Sequence, residues 1–378
     1  MFIALRDLAY AKGRFLLMGL VVALVACLVT LLSGTSAGLI KNNISGLMEL
    51  EATHIAFEYS DSPTYRNTMI ERESWEGWSS APGVVDAQPM GHTIFNARTQ
   101  RNEPLEIALW GLRPGSFIEP VVIEGSQLGT VDNGVIISEM MVINDGIAIG
   151  DTITLDRVLT EFTVVGVAEE RNIGHLPIVY APLPIWQEAT YGPPGGAPPG
   201  EKLPDVLYDF VSVIALQLES GADIVTADDE YSTTTLDRQS FYAASTGYTE
   251  EVLSVQMIQA FLIIISAVVI GAFFSIWTIQ RTKEIGLVKA LGASNLYLLK
   301  DALGQSLVLM IIGTLVGLGT AVAIGEFLIK GTAFPFMFEQ DTVTTGVVML
   351  IVAGLIGGAL SIRRITSVDP IIALGQEQ

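Results

Sequence analysis

The sequence predicts an α-helical membrane protein with four transmembrane helices in a one-plus-three arrangement. A mixed α/β extracellular domain is inserted between the first helix and the second. Three observations carry this. Four uncharged, largely apolar stretches each reach the about 20 residues a helix needs to cross a hydrocarbon core of about 30 Å. Basic residues gather beside these stretches, on segments that the positive-inside rule assigns to the cytoplasm. Between the first two stretches lies a long acidic segment with strand patterning.

Composition narrows the function classes. Half of the 378 residues are hydrophobic and only 16% are charged, where about a quarter is usual in soluble domains. The net charge of −20 argues against a nucleic-acid partner, because binding phosphate needs a basic surface. A single cysteine, Cys27, excludes an internal disulfide and a cysteine-built metal cage. His54, His92 and His175 read as structural or exposed, and no metal site is expected.

Taken in order, residues 1–14 are cytoplasmic and carry Arg6, Lys12 and Arg14, and residues 15–40 form the first span. Leu24 to Cys27 matches the four-residue lipobox of lipoprotein signals, but the apolar run continues to Leu32. An uncleaved anchor is the expectation. Gly34 and Gly38 stand four apart, a spacing that lets helix backbones approach closely; they are the candidate dimer seam. Similar pairs, Gly313 with Gly317 and Gly354 with Gly358, read as packing within the chain.

Residues 41–251 form the extracellular domain. Segments 134–138, 151–155 and 162–167 have strand character, two of them alternating with period two. Gly146 and Gly150 punctuate the turn between the first two. Segment 71–79 is helical in composition, and the proline- and glycine-dense segment 191–204 is a loop. Residues 252–280 are the second span, 281–301 a cytoplasmic connection, 302–325 the third span, 326–341 an outer loop, 342–362 the fourth span and 363–378 a cytoplasmic tail.

Charge agrees with this topology. Nine basic and five acidic residues fall on the cytoplasmic segments, against ten basic and 32 acidic in 41–256. Both termini are therefore placed inside and the large domain outside. No GxSxG or HExxH string occurs, so no catalytic residue is assigned. A Walker A string is also absent.

The cytoplasmic connection reads Arg281-Thr-Lys-Glu-Ile-Gly-Leu-Val-Lys-Ala-Leu-Gly-Ala-Ser294. Ile285, Val288 and Leu291 recur at helical spacing. Gly292 can stop this helix and Ser294 can cap the next. This string closely resembles the signature of the MacB/FtsX-type (type VII) ABC transporter permeases. The match falls on Arg281, Lys283, Glu284, Ile285, Gly286, Lys289, Ala290, Leu291, Gly292, Ala293 and Ser294. In that family the segment is the coupling helix, which docks into the ATPase subunit. The start, Ala4 to Arg14, looks like the family's amphipathic helix ahead of the first span. Ile136 to Glu139, Gly150 to Leu155 and Val164 to Val167 resemble its extracellular core domain, and Arg363, Arg364, Asp369 and Pro370 its tail.

The resemblance implies a homodimer of permeases bound to a dimeric ABC ATPase, with ATP and magnesium held by that partner and no cofactor intrinsic to this chain. It implies an efflux role in the bacterial cell membrane, without enzymatic activity of the chain's own. The small outer domain and the lack of a fused ATPase look like the DevC- and HrtB-like branch, whose second member exports haem. Two other readings remain: a mechanotransmission permease of the FtsX or lipoprotein-release kind, and a membrane-anchored sensor without an ATPase.

The strip before the second span places Tyr248, Glu250, Glu251 and Met257 at the outer boundary. Met48 and Glu49 lie near the outer end of the first. Methionine and tyrosine can be axial haem ligands, and these six residues are the candidate pocket for haem or a similar amphipathic substrate.

Overall fold

A computed structural model describes residues 12–196, 203–280, 282–329, 335–338 and 340–362. The expected helix over 1–14 lies almost wholly outside the described residues, as do Arg281, Phe334, Glu339 and the tail from 363 on. The chain divides into two compact units, residues 40–251 on one hand and 1–39 with 252–378 on the other.

The helical unit contains most of α1 (Lys12–Met48) and nearly all of α2 (Tyr248–Gln280), then α3 (Thr282–Ala290), α4 (Asn295–Ile324) and α5 (Gln340–Ile362). Three of these helices are long and apolar enough to cross a membrane, and α5 adds a shorter apolar stretch, Val343–Gly357. Leucines at 16, 20, 24 and 28 form an exposed row along α1, while Met18, Val22 and Ala26 are buried. A four-residue step keeps each row on one side of a helix. Leucine outside and small or slender residues inside suit a helix whose solvent is lipid.

The buried row meets Ile270 of α2, Leu309 and Met310 of α4, and Leu350 of α5. Glycines set the close approaches. A methyl group on Gly313 would fall 2.7 Å from Val22, and one on Gly354 would fall 2.5 Å from Met310. Gly313, Gly317 and Gly354 pack within the chain, as expected. Gly34 and Gly38, the expected dimer seam, also have neighbours within the chain. A methyl on Gly34 would fall 2.6 Å from the Phe336 ring, and one on Gly38 2.5 Å from the Pro335 backbone. The chain's own segment 335–338 occupies that side of α1, and Met337 N–H donates to the Gly34 carbonyl at 3.0 Å.

The extracellular unit is built on a mixed sheet. Its strands are β1 (His54–Glu58), β3 (Val84–Thr99), β4 (Pro104–Leu112), β5 (Val122–Gly125), β6 (Gly134–Ser138), β7 (Thr152–Leu155), β8 (Glu161–Ala168), β9 (Asn172–Ile173), β10 (Leu176–Pro182), β12 (Val213–Leu218) and β13 (Thr233–Asp237). The order is β13-β1-β12-β3-β4-β10-β6-β8-β5, with β7 against β3 and β8 and β9 against β10. A separate ribbon joins β2 (Ile70–Glu71) to β11 (Phe210–Val211). The long β3 serves three neighbours: residues 84–90 pair with β12, residues 91–98 with β4 and residues 97–99 with β7.

Each face of this sheet carries a core. One is filled by Trp75 and Trp78 of α6 (Arg72–Trp78), Met141 of α7 (Glu139–Asp145), Trp186 of α8 (Leu183–Tyr191) and Ala227 of α9 (Ile224–Tyr231). The other takes Ile44 and Leu47 from the outer end of α1, with Phe241 of α10 (Arg238–Ala243). The expected strands at 134–138, 151–155 and 162–167 and the helix at 71–79 all form, within a residue or two. Of the loop 191–204, residues 197–202 lie outside the described residues.

Candidate functional site

The outer end of α1 is not a plain continuation of the span. Ile44 leaves helical geometry, at φ −127° and ψ 15°, and its side chain is buried in the domain core. The polar residues around this break make specific contacts. Asn43 is buried; its Nδ2 donates to Glu251 Oε2 at 3.1 Å, and its Oδ1 accepts from the Ser245 hydroxyl at 2.9 Å. The Ser45 hydroxyl accepts from Asn172 N–H at 2.7 Å. Gly46 lies so close to Trp110, Ile178 and Asn172 that any side chain there would collide.

The hairpin that meets these groups turns at Gly174 and His175, both in the left-handed region at φ 58° and 65°. Two successive residues with positive φ suit the tight turn between antiparallel strands, here β9 and β10. Histidine tolerates this conformation better than bulkier residues do. The turn aims the imidazole at two helices. His175 Nδ1 is 3.0 Å from Asn42 Oδ1 of α1, and Nε2 is 3.4 Å from Glu251 Oε2 in the first turn of α2. Glu251 is thereby only 16% exposed.

Beside the hairpin, Arg171 sits between Glu49 at 3.1 Å and Glu169 at 3.2 Å and is itself 13% exposed. Burial lowers the Arg171 guanidinium from its ordinary value. The same burial keeps the two carboxylates nearby, since a half-buried cation needs paired charge. A cavity of about 70 Å³ adjoins Glu49, Arg171 and Trp110. That is room for a few waters, whose share of liquid volume is about 30 Å³ each, and not for a macrocycle.

Of the six expected pocket residues, five lie in this unit and Met257 lies further along α2 in the other. Glu251 and Glu49 answer two different cationic or polar groups, and Tyr248 packs against the core beside Phe241. Glu250 is exposed, Met48 is 42% exposed, and Met257 further along α2 is 58% exposed. Sequence reasoning missed Asn42, Asn43, Ser45, Arg171 and His175. The one visible signal was the paired asparagines at the end of an apolar span.

The connection after α2 forms the expected helix, α3. Gly292 stops it at φ 95°. Its N–H donates to Lys289 O at 3.0 Å, and Ala293 N–H donates to Val288 O at 3.2 Å. This pair of bonds is the Schellman pattern. Ser294 then caps α4, accepting from Tyr297 N–H at 3.2 Å. Leu287 and Leu291 are exposed, Leu291 by 80%, and Val288 borders on it. Gly286 is buried. The side chains of Lys283, Glu284 and Ile285 lie outside the described residues.

Comparison with known proteins bears on both regions. Residues 15–233 match the MacB-like periplasmic core domain, and residues 257–370 match the FtsX-like permease C-terminal region. The hemin transport system permease protein HrtB of Staphylococcus haemolyticus is 22% identical over 373 residues, 99% of each chain. The protein of that name in Staphylococcus epidermidis RP62A is 24% identical over 377 residues, covering 100% of this chain and 99% of that one. The macrolide export ATP-binding/permease protein MacB of Psychrobacter cryohalolentis is 30% identical over 100 residues, 26% of this chain and 15% of its own. A membrane protein with apolar helices and an extracellular α/β domain of this kind belongs to the MacB/FtsX-type family of ABC transporter permeases.

Proposed function

We propose that the chain is the permease subunit of an ABC efflux transporter, expelling a hydrophobic or amphipathic compound of which haem is the first candidate. Four spans in a one-plus-three arrangement, both termini cytoplasmic, pair with a second copy and with a separate ATPase dimer that supplies hydrolysis. The observation that carries this reading is the apolar end of α3. Leu287, Val288 and Leu291 face outward at a turn fixed by the Gly292 stop and the Ser294 cap. An exposed apolar patch on a rigid, capped helix suits docking better than solvation. Haem enters through the relatives named for hemin transport, which align over nearly their full length.

A specific observation favours a second reading, mechanotransmission to an outer partner. Asn42, Asn43 and Glu251 tie the outer ends of α1 and α2 to the β9–β10 hairpin. Motion of either helix would then be handed to the sheet. Haem titration of the detergent-purified chain, read by Soret absorption, separates the two. Efflux of haem predicts a saturable, shifted band, weakened at least fivefold by Met257→Ala and Glu250→Ala, both on exposed side chains. A chain that shows no saturable band transmits motion or carries another cargo.

A further inference from the structure

The extracellular domain holds a second, larger cleft, about 750 Å³ in volume, within the range of small-molecule sites. It opens where the sheet changes partners. β3 pairs with β12 as far as Met90. At the next position on that edge a side chain takes over: His92 N–H donates to the Ser212 hydroxyl oxygen at 2.9 Å, and that hydroxyl donates back to His92 O at 3.2 Å. Past His92, Ile94 lines the opening, 44% exposed. Segment 65–69 closes the other side, with Thr68 Oγ1 donating to Ser212 O at 2.7 Å.

The wall of this cleft carries donors without acceptors. The Tyr65 hydroxyl and the Trp186 indole nitrogen are buried and have no hydrogen-bond partner among the described residues. Tyr65 is 3% exposed and Trp186 is fully buried. Buried polar groups are nearly always satisfied, and an exception calls for a reason. The indole is held there deliberately by the fold: it lies over the cross-strand pair Gly91 and Gly111, where any side chain would collide with it. His92 Nδ1 accepts from Trp110 Nε1 at 3.1 Å, so the neutral ring carries its proton on Nε2, a third donor. Burial holds His92 down at about 4, which keeps it in that neutral form. Arg66, exposed at the rim, makes no ion pair among the described residues. Of the two acidic residues on the rim, Glu58 is already engaged by Met69 N–H at 3.1 Å, and Glu106 is exposed.

We propose that this cleft binds a small aromatic carboxylate, whose ring packs on Tyr191 and the exposed Ile94 and whose oxygens take the unused donors and Arg66. The Tyr65 and Trp186 donor atoms are buried in the lining of the cleft. Nothing in this depends on the transport reading, because every group belongs to the extracellular domain.

The test is calorimetric titration of the full chain in lipid nanodiscs with 2-naphthoate. One saturable site per chain is expected, weakened at least fivefold by Arg66→Ala and by Tyr65→Phe. The uncharged 2-naphthamide should bind at least tenfold more weakly. Arg66 is exposed and unpaired, so its replacement leaves the fold intact, which circular dichroism verifies. Uptake that does not saturate, affinity equal in both variants, or naphthamide binding as tightly as naphthoate would each overturn the proposal.

Discussion

His92 shows how far one residue's surroundings decide its chemistry. Burial lowers it from 6.5 to about 4, so between those pH values the unfolded chain binds a proton that the folded chain refuses. Stability from this group is therefore complete above about pH 6.5 and is lost as pH falls toward 4. His92→Gln, which can still accept from Trp110, should flatten that slope. Thermal unfolding of the full chain from pH 7 down to 4 checks it, and equal slopes in the two proteins would dismiss the assignment. His92 is deeply buried, and the sequence marks all three histidines as structural or exposed. It could not reveal that His175 meets Glu251, because the contact depends on a turn 76 residues away in the chain. The reading of Glu251 as a substrate ligand had the same weakness. Its partner Asn43 is 208 residues distant, and only the folded hairpin brings the groups together.

Whole elements were more legible, because lipid imposes a length and forbids charge. The spans at 15–40, 252–280, 302–325 and 342–362 correspond to long helices, although α1 runs on to Met48. Its break at Ile44 was invisible, since isoleucine simply continues the apolar pattern. β3 was missed for a related reason. Pro89, Gly91 and Asn96 interrupt its alternation, the first two where the strand exchanges β12 for β4. Gly313, Gly317 and Gly354 pack within the chain as the sequence suggests, and segment 335–338 lies against Gly34 and Gly38. A direct check uses two neighbours on α4. A methyl on Gly317 would collide with α1 at Ala23, whereas one on Gly319 would meet nothing within 4 Å. Gly317→Ala should destabilise the helical unit by about 1–3 kcal/mol, and Gly319→Ala should be neutral or mildly stabilising. Thermal unfolding in the same detergent compares them; equal midpoints would mean that α1 and α4 do not approach as described.

At the scale of the molecule, α1 and α2 each continue from one unit into the other, and within the extracellular unit Asn42, Asn43 and Glu251 tie the ends of both to the β9–β10 hairpin. The family places this architecture among permeases whose work is driven from elsewhere. In the proposed function, α3 receives that drive. The most direct measurement is co-purification of the ABC ATPase expressed with the chain, using wild type and the double variant Leu287→Glu with Leu291→Glu. Both side chains are exposed, so the variant should insert and fold normally. Wild type should retain the ATPase, and the variant should lose at least tenfold of it. An ATPase retained equally by both would contradict the assignment of α3 as the docking helix.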